Sequence, residues 1–495
     1  MGSEGDEGAI GAQQELFLLF SVLSWAMELY FDLRQHKKLC QKKLPQELQG
    51  IVTEEEFLKA NEYSRDKISF EMMSSGVNIT ATIFFYLMGG LLWMWEVSLI
   101  LIKPLGFSEQ NEIWQSVSFC IVLYAKSIIE SAPLDLYQTF VIEERHGFNK
   151  QTLSLWFMDQ VKTFFLVVVL LFPAVAGGIH IIIWGGKDFW FYIWSFCLVL
   201  VLVFQTIYPQ VIQPLFNTFT PLKDGSLKSA IEDLARAHNF PLKKLFVVDG
   251  STRSSHSNAY FYGFGNNKRV VLFDTLNLSL LGKEEKNGQD ETGKSKESKS
   301  SGCKIEEIVA ILGHELGHWA KAHIYKQLFV AELHLLIFFY MFGYMLHNQG
   351  PCLLCAATDL TASPQEMYAA FGFQSKRPVI IGLILFSNMG FLLLLLLLLS
   401  CSRLHSVNPV EHFVQFFQQF VTRMFEFEAD RFAVEQGHGK ELAAALVKIS
   451  TENKSNLDPD PLWSAYNNSH PSLVERLRAM TAHASVLEAR QKKSN

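Results

Sequence analysis

The sequence predicts a mainly α-helical, polytopic membrane protein with a helical metal-binding part on one side of the membrane, and three observations carry that prediction. Apolar residues fill 49% of the 495 positions and Phe alone accounts for 41, more apolar surface than one water-soluble core needs. About seven apolar stretches approach the ~20 residues that an α-helix needs to cross a bilayer. Between the fifth and sixth of these, and again after the seventh, the chain turns polar and carries His and carboxylate side chains at helical spacing.

The chain begins with an acidic, Gly-rich segment, 1–11, which lacks the positive n-region of a cleavable signal peptide, and Asp6 departs from the myristoylation pattern. The apolar run 16–30 is therefore expected to stay as a signal-anchor helix. Further spans are expected at 79–102, 113–129, 164–184, 189–212, 328–346 and 379–400. Arg34, Lys37, Lys38, Lys42 and Lys43 follow the first run and nothing basic precedes it, so the positive-inside rule places that loop in the cytosol. Alternation then puts 143–150, 214–326 and everything after 400 in the cytosol, while the Lys/Arg-poor loops around Gly106, Gly186 and Gly350 fall opposite. Lys126, Glu130, His180, Glu332 and His334 lie within spans, where facing lipid is costly. They are expected to face a bundle interior or a hydrated hollow.

Four parts follow: 1–213 with five spans, 214–326, 327–400 with two spans, and a helical 401–495. In the second part, 226–239 reads as an amphipathic helix and 245–248 as a short buried strand. Residues 254–264 and 268–273 alternate like the arms of a hairpin, with Asn266 and Asn267 at its turn. The segment 283–302 is rich in Lys, Glu, Ser and Gly without apolar periodicity and is expected to be disordered. The seven Cys form no disulfide framework, and a net charge of −6 offers no footprint for nucleic acid, so membrane lipid is the expected surrounding.

The chemistry centres on Ile311-Leu312-Gly313-His314-Glu315-Leu316-Gly317-His318-Trp319, an HExxH pattern that continues from a helical start near Ile305 toward the sixth span. Four residues apart on a helix, His314 and His318 can present two imidazoles to one metal ion, with Glu315 beside them as a general base. A third ligand is needed. The longer metzincin pattern would want a glycine three residues and a histidine six residues after His318, where the chain has Lys321 and Ile324, so His323 reads as a helix-end histidine. Glu426 and Asp430 share a helix face downstream. One carboxylate on the metal and the other orienting a ligand imidazole is the gluzincin-like arrangement this suggests.

With these residues assembled, the chain resembles the Ste24-type CAAX prenyl proteases, integral-membrane zinc metalloproteases, over nearly its whole length. The resemblance rests on 140–149 (FVIEERHGFN), 255–263 (SHSNAYFYG), the HExxH helix, 425–430 (FEFEAD) and 469–477 (SHPSLVERL), and it leans toward the animal member that matures farnesylated prelamin A. It implies a seven-helix barrel around a water-filled chamber, with one zinc ion at its cytosolic end. It also implies that His314, His318 and Glu426 are the zinc ligands, that Glu315 is the base, and that Asp430 supports the site from behind. Asn258 and His470 match residues that hold the peptide backbone or the developing oxyanion, and Arg476 matches a companion arginine. The implied activity is removal of the C-terminal tripeptide from prenylated CAAX proteins in the endoplasmic reticulum membrane, extending to the inner nuclear membrane, with a second upstream cut in some members. The loop 348–364 is longer than the family pattern and lies opposite the zinc. The ending Lys492-Lys493-Ser494-Asn495 has the form of a retrieval signal.

The strand at 258–262 is expected to pair with an extended substrate as an added edge strand. Two other functions compete. A broad quality-control protease for misfolded or stalled membrane proteins would share the zinc site but need no prenyl group. A transporter or channel would explain spans and intramembrane charges, and predicts no zinc and indifference to Glu315→Ala.

Overall fold

The computed structural model describes residues 3–263, 265, 267–276, 281, 302–347, 364–374, 377–389 and 409–494. The chain starts with α1 (Ser3–Leu39), α2 (Glu54–Leu87) and α3 (Gly90–Ile102). α2 opens on a capping box, in which Thr53 Oγ1 accepts the Glu56 N–H at 3.2 Å and the Glu56 carboxylate accepts the Thr53 N–H at 2.9 Å. It ends where Gly89 takes φ +68°, a conformation that costs glycine little, and the axis turns by 72° into the next helix. The single span expected at 79–102 is therefore a bent pair. α4 (Glu112–Tyr137) continues through a π-turn at Gln138–Glu143, and α5 (Leu153–Trp184) and α6 (Phe189–Ile207) follow.

Among the described residues four helices are long and apolar enough to cross a membrane: Glu112–Glu143, Leu153–Trp184, Gly186–Leu215 and His323–Tyr344. The bent pair makes a fifth if it counts as one crossing. Seven were expected. The candidate at 16–30 lies on α1, part of whose side chains fall outside the described residues, and the one at 379–400 is described only to Met389. Of the four apolar windows, between 6% and 22% is buried, so both faces of each helix stay largely open. That suits a wall one helix thick better than a solid bundle. Within it Lys126 and Glu130 pair with each other at 2.6 Å, while His180 is exposed.

The polar part between the fifth and sixth expected spans builds a four-stranded sheet from β1 (Phe219–Pro221), β2 (Leu242–Val248), β3 (Ala259–Tyr262) and β4 (Lys268–Phe273), in the order β1-β2-β4-β3. The expected hairpin is present as antiparallel β3 and β4, and β2 lies parallel to β4. Its first arm begins later than expected, at Ala259. The residues before it are drawn elsewhere: Ser254 bridges to Asn149, and the Ser255 N–H donates to the Phe148 carbonyl at 3.2 Å. β1 has no signal in the sequence, because three residues ending in Pro are too few for a period, and a Pro is tolerated at the sheet edge that β1 occupies. β3 is the other edge. The helix expected at 226–239 is α7 (Ser226–Ala237). The segment 283–302 lies outside the described residues except for Gly302.

The HExxH helix is α8 (Ile305–Ala320). Its Ile308, Ile311, Leu312 and Leu316 recur every three to four residues and pack on Leu245, Val247, Val270 and Leu272 of the sheet. Fully burying such a side chain is worth ~1.5–3 kcal/mol, so this face locks the helix to the sheet. α8 does not run on into the next span as expected. Ala322 adopts φ +56° and turns the chain into α9 (His323–His347). The remaining helices are α10 (Pro364–Ala370), α11 (Val379–Met389), α12 (Pro409–Glu435), α13 (Gly439–Glu452), α14 (Pro461–Asn467) and α15 (Leu473–Ser494). α12 crosses α8 at Gly317, where a Cβ would meet the Ala429 Cα at 2.9 Å and its carbonyl oxygen at 3.1 Å. Only glycine permits that approach, and the approach brings the two functional helices together.

Candidate active site

Periodicity divides α8 into faces. With the apolar face on the sheet and Gly317 against α12, His314 and His318 are left pointing at the residue α12 offers one turn before Asp430, which is Glu426. One ligand atom from each of the three lies within 4.8 Å of the others. The two Nε2 atoms stand 3.2 Å apart, and the Glu426 carboxylate comes to 3.4 Å from that of His314 and 3.2 Å from that of His318. His314 and Glu426 are buried, His318 half-buried.

The surroundings decide which ring nitrogens carry protons. Asp430, 1% exposed, accepts from His314 Nδ1 at 2.8 Å, which leaves the lone pair of Nε2 facing the cluster. On the other side His318 Nδ1 lies 3.0 Å from His323 Nδ1, and His323 Nε2 lies 3.0 Å from the Glu428 carboxylate. Glu428 accepts only, so His323 donates from Nε2 and accepts at Nδ1, and His318 then donates from Nδ1. Both ligand imidazoles thus turn an unprotonated Nε2 toward one point. Two lone pairs 3.2 Å apart, and a buried Glu426 Oε2 without a hydrogen-bond partner, call for a cation. Burial and Arg476 pull the His314 imidazole down, yet Asp430 and Glu426 outweigh them and lift it to about 9, so without a metal ion Nε2 takes up a proton at neutral pH, and a metal ion bound there displaces it. Burial pushes the Glu426 carboxyl up, but the neighbouring His314 and His318 hold it well below its ordinary range. The pocket draws positive charge, and two imidazoles with one carboxylate are the donor set of a catalytic zinc site.

The other expected residues ring this cluster. Glu315 is half-buried beside the two imidazoles, and burial raises its carboxyl above the ordinary value. His470 overhangs from solvent, its side chain 62% exposed and its Nε2 3.3 Å from Glu426. Asn258 stands exposed at the head of β3, and its side-chain oxygen accepts the Ala259 N–H at 2.8 Å. Arg476 is buried, and its guanidinium turns to Asp430 through Nε at 2.8 Å and a terminal nitrogen at 2.6 Å, with His314 Nδ1 at 3.3 Å. It therefore acts through Asp430 rather than on open space. His323 is, as expected, at a helix end, but the sequence reading missed that it backs His318. Its five-residue spacing from His318 and the Glu two places after Glu426 are the signals that were present. The ring is 1% exposed and stacks on Phe425 at 4.2 Å.

Three spaces adjoin the edge strand β3 among the described residues; the smallest, about 160 Å³, lies between Phe261 and Tyr262 of the strand and His318 of the cluster. An apolar slot of about 900 Å³ runs between α5 and α6, lined by Leu166, Leu170, Phe204 and Tyr208 and ending at Tyr260 and Tyr262 of β3. A polar cavity of about 670 Å³ adjoins Asn258 at the other end of the strand.

Comparison with known proteins places this arrangement. Residues 35–218 match the description "CAAX prenyl protease N-terminal, five membrane helices", and 221–484 match "Peptidase family M48". The chain is similar to the CAAX prenyl protease 1 homologue of Arabidopsis thaliana, 43% identical over 93% of this chain and 96% of that one. The homologue of Mus musculus is 37% identical over 95% of this chain and 96% of that one. The crystal structure of S. mikatae Ste24p is 33% identical, covers 94% of this chain and 98% of that one, and superposes with a TM-score of 0.78. The chain belongs to peptidase family M48 and is a multi-pass membrane metalloprotease of the CAAX prenyl protease type.

Proposed function

We propose that this protein removes the C-terminal tripeptide from prenylated CAAX proteins, with one zinc ion held by His314, His318 and Glu426. The observation that carries the reading is the placing of an open edge strand, β3, between a lipid-sized apolar slot and the metal-binding cluster. A farnesyl chain finds apolar walls in that slot, while the backbone that follows it can add to β3 by main-chain hydrogen bonds.

Zinc, when bound, supplies Lewis acidity that polarises the scissile carbonyl and acidifies water. Glu315 takes a proton from the attacking water and passes it to the leaving nitrogen, a task its raised pKa suits. His470 and Asn258 donate to the developing oxyanion or to the substrate backbone; losing one such donor typically costs ~3 kcal/mol. Asp430, held by Arg476, and His323, held by Glu428, fix the two imidazoles in the tautomer that binds metal. The endoplasmic reticulum membrane is the proposed location, in keeping with the CAAX prenyl protease relatives, and the Lys/Arg asymmetry of the loops supports the cluster lying on the cytosolic side. The test compares a farnesylated CAAX peptide with its unprenylated twin. Preference for the farnesylated peptide, lost on Glu315→Ala, is expected. Equal cleavage of the two favours the quality-control reading.

A further inference from the structure

We infer that the polar cavity beside Asn258 receives the free C-terminal carboxylate of the substrate, together with the tripeptide that is cut off; this rests on the CAAX reading above. The cavity is lined from α1 by Gln35, from α2 by Lys67 and Glu71, from the head of β3 by Asn258, and from the loop after α13 by Lys454 and Asn456. Its donors are poorly used. Among the described residues Gln35 Nε2 and both polar side-chain atoms of Asn456 are buried without a hydrogen-bond partner. Gln35 is 1% exposed, and its amide is oriented by the Asp460 N–H, which donates to Oε1 at 2.7 Å, so Nε2 is the end left over. Buried amides left unpaired in this way await a partner.

The charges agree. The Lys67 ammonium lies 5.2 Å above the Tyr63 ring, and Lys454 sits 5.0 Å above Phe148 while donating to the His146 carbonyl at 2.7 Å. Neither has a carboxylate at ion-pair distance among the described residues. Glu71 and, behind Tyr63, Glu143 answer Lys67, while Lys454 meets the His146 carbonyl and the Phe148 ring, so Lys454 is the cation to which a terminal carboxylate brings two acceptor oxygens.

Position then gives direction. The cavity is lined by Asn258 at the head of β3 and by Asn468, two residues before the His470 that stands 3.3 Å from Glu426. Asn453 holds this corner by exchanging hydrogen bonds with both backbone groups of Ser257, at 3.0 and 3.3 Å. The apolar slot lies at the Tyr260–Tyr262 end of the same strand. In a CAAX substrate the prenylated Cys precedes the scissile bond and the tripeptide follows it. A substrate with its lipid in the slot and its C-terminus in the cavity therefore runs antiparallel to β3. At ~3.3 Å per residue, three residues carry the terminal carboxylate about 10 Å beyond the cut, into the cavity.

The experiment compares farnesylated peptides ending in a free acid with the same peptides ending in an amide, on the zinc-loaded full chain. Wild type is expected to favour the acid roughly tenfold or more in kcat/KM, the scale of a charge-assisted hydrogen bond. Lys454→Met is expected to erode that preference while cleaving the amide at close to the wild-type rate. As a second readout, the free tripeptide acid should bind wild type in calorimetry more tightly than its amide. Equal cleavage of acid and amide by wild type overturns the inference, as does a variant loss that falls equally on both peptides or a preference that survives the variant. Failure of wild type to cleave either farnesylated peptide overturns the substrate reading, and the cavity assignment with it.

Discussion

Replacing Asp430 by Asn tests how the metal site is held. The change keeps the shape of the side chain and removes one charge. In the wild type the carboxylate accepts from His314 Nδ1 at 2.8 Å and from two nitrogens of Arg476 at 2.6 and 2.8 Å, all out of water. Asparagine has one oxygen for these three donors and adds an N–H₂ that must point at one of them. If the oxygen serves Arg476, His314 faces a donor and loses the partner that keeps its proton on Nδ1. Removing such an outer partner typically weakens metal binding 10- to 100-fold, or ~1.4–2.8 kcal/mol. Arg476 meanwhile keeps a buried charge with half its compensation, and breaking a buried pair costs ~3–5 kcal/mol. The expected result in a chelator competition assay is a 10- to 100-fold weaker zinc affinity, accompanied by a lower melting temperature in both metal-loaded and metal-stripped protein. Unchanged affinity in a variant that melts at the wild-type temperature would refute the argument that Asp430 sets the His314 tautomer.

Other outcomes follow from the same geometry. His323→Ala removes the acceptor for His318 Nδ1 and is expected to weaken zinc binding roughly tenfold in the same assay, with the Phe425 stacking partner also lost. Gly317→Ala drives a methyl to 2.9 Å from the Ala429 Cα, and chemical denaturation should show a loss of ~1–3 kcal/mol together with weaker metal binding, because the two ligand helices must separate. Leu312→Ala opens a hole between α8 and the sheet and is expected to cost ~2–5 kcal/mol by denaturation while leaving the metal ligands in place.

What the sequence made legible was local. His314, His318 and Glu315 declare themselves by a spacing that one helix enforces, and Glu426 and Asp430 do the same on a second helix. The relation between the two helices, 108 residues apart from His318 to Glu426, is tertiary; the need for a third ligand suggested it and the family resemblance supported it, and Gly317 against Ala429 is its physical cause. Arg476 and His323 were harder to place because their roles depend on what a fold puts opposite them. Arg476 alone reads as a surface cation, yet it is buried on Asp430. The bend at Gly89 carried a signal, a Gly-Gly pair within an apolar run, that hydropathy counting overlooks. The end of α8 carried none, since Ala322 is a good helix former and its φ of +56° is imposed by the surroundings.

The most direct measurement is metal content and peptide cleavage taken together, on wild type, Glu315→Gln and Glu426→Gln. The account predicts one zinc per chain in wild type and in Glu315→Gln, cleavage reduced at least ~100-fold in Glu315→Gln, and loss of both zinc and cleavage in Glu426→Gln. A metal-free wild-type chain that cleaves at full rate, or full zinc occupancy with Glu426 replaced, would contradict it.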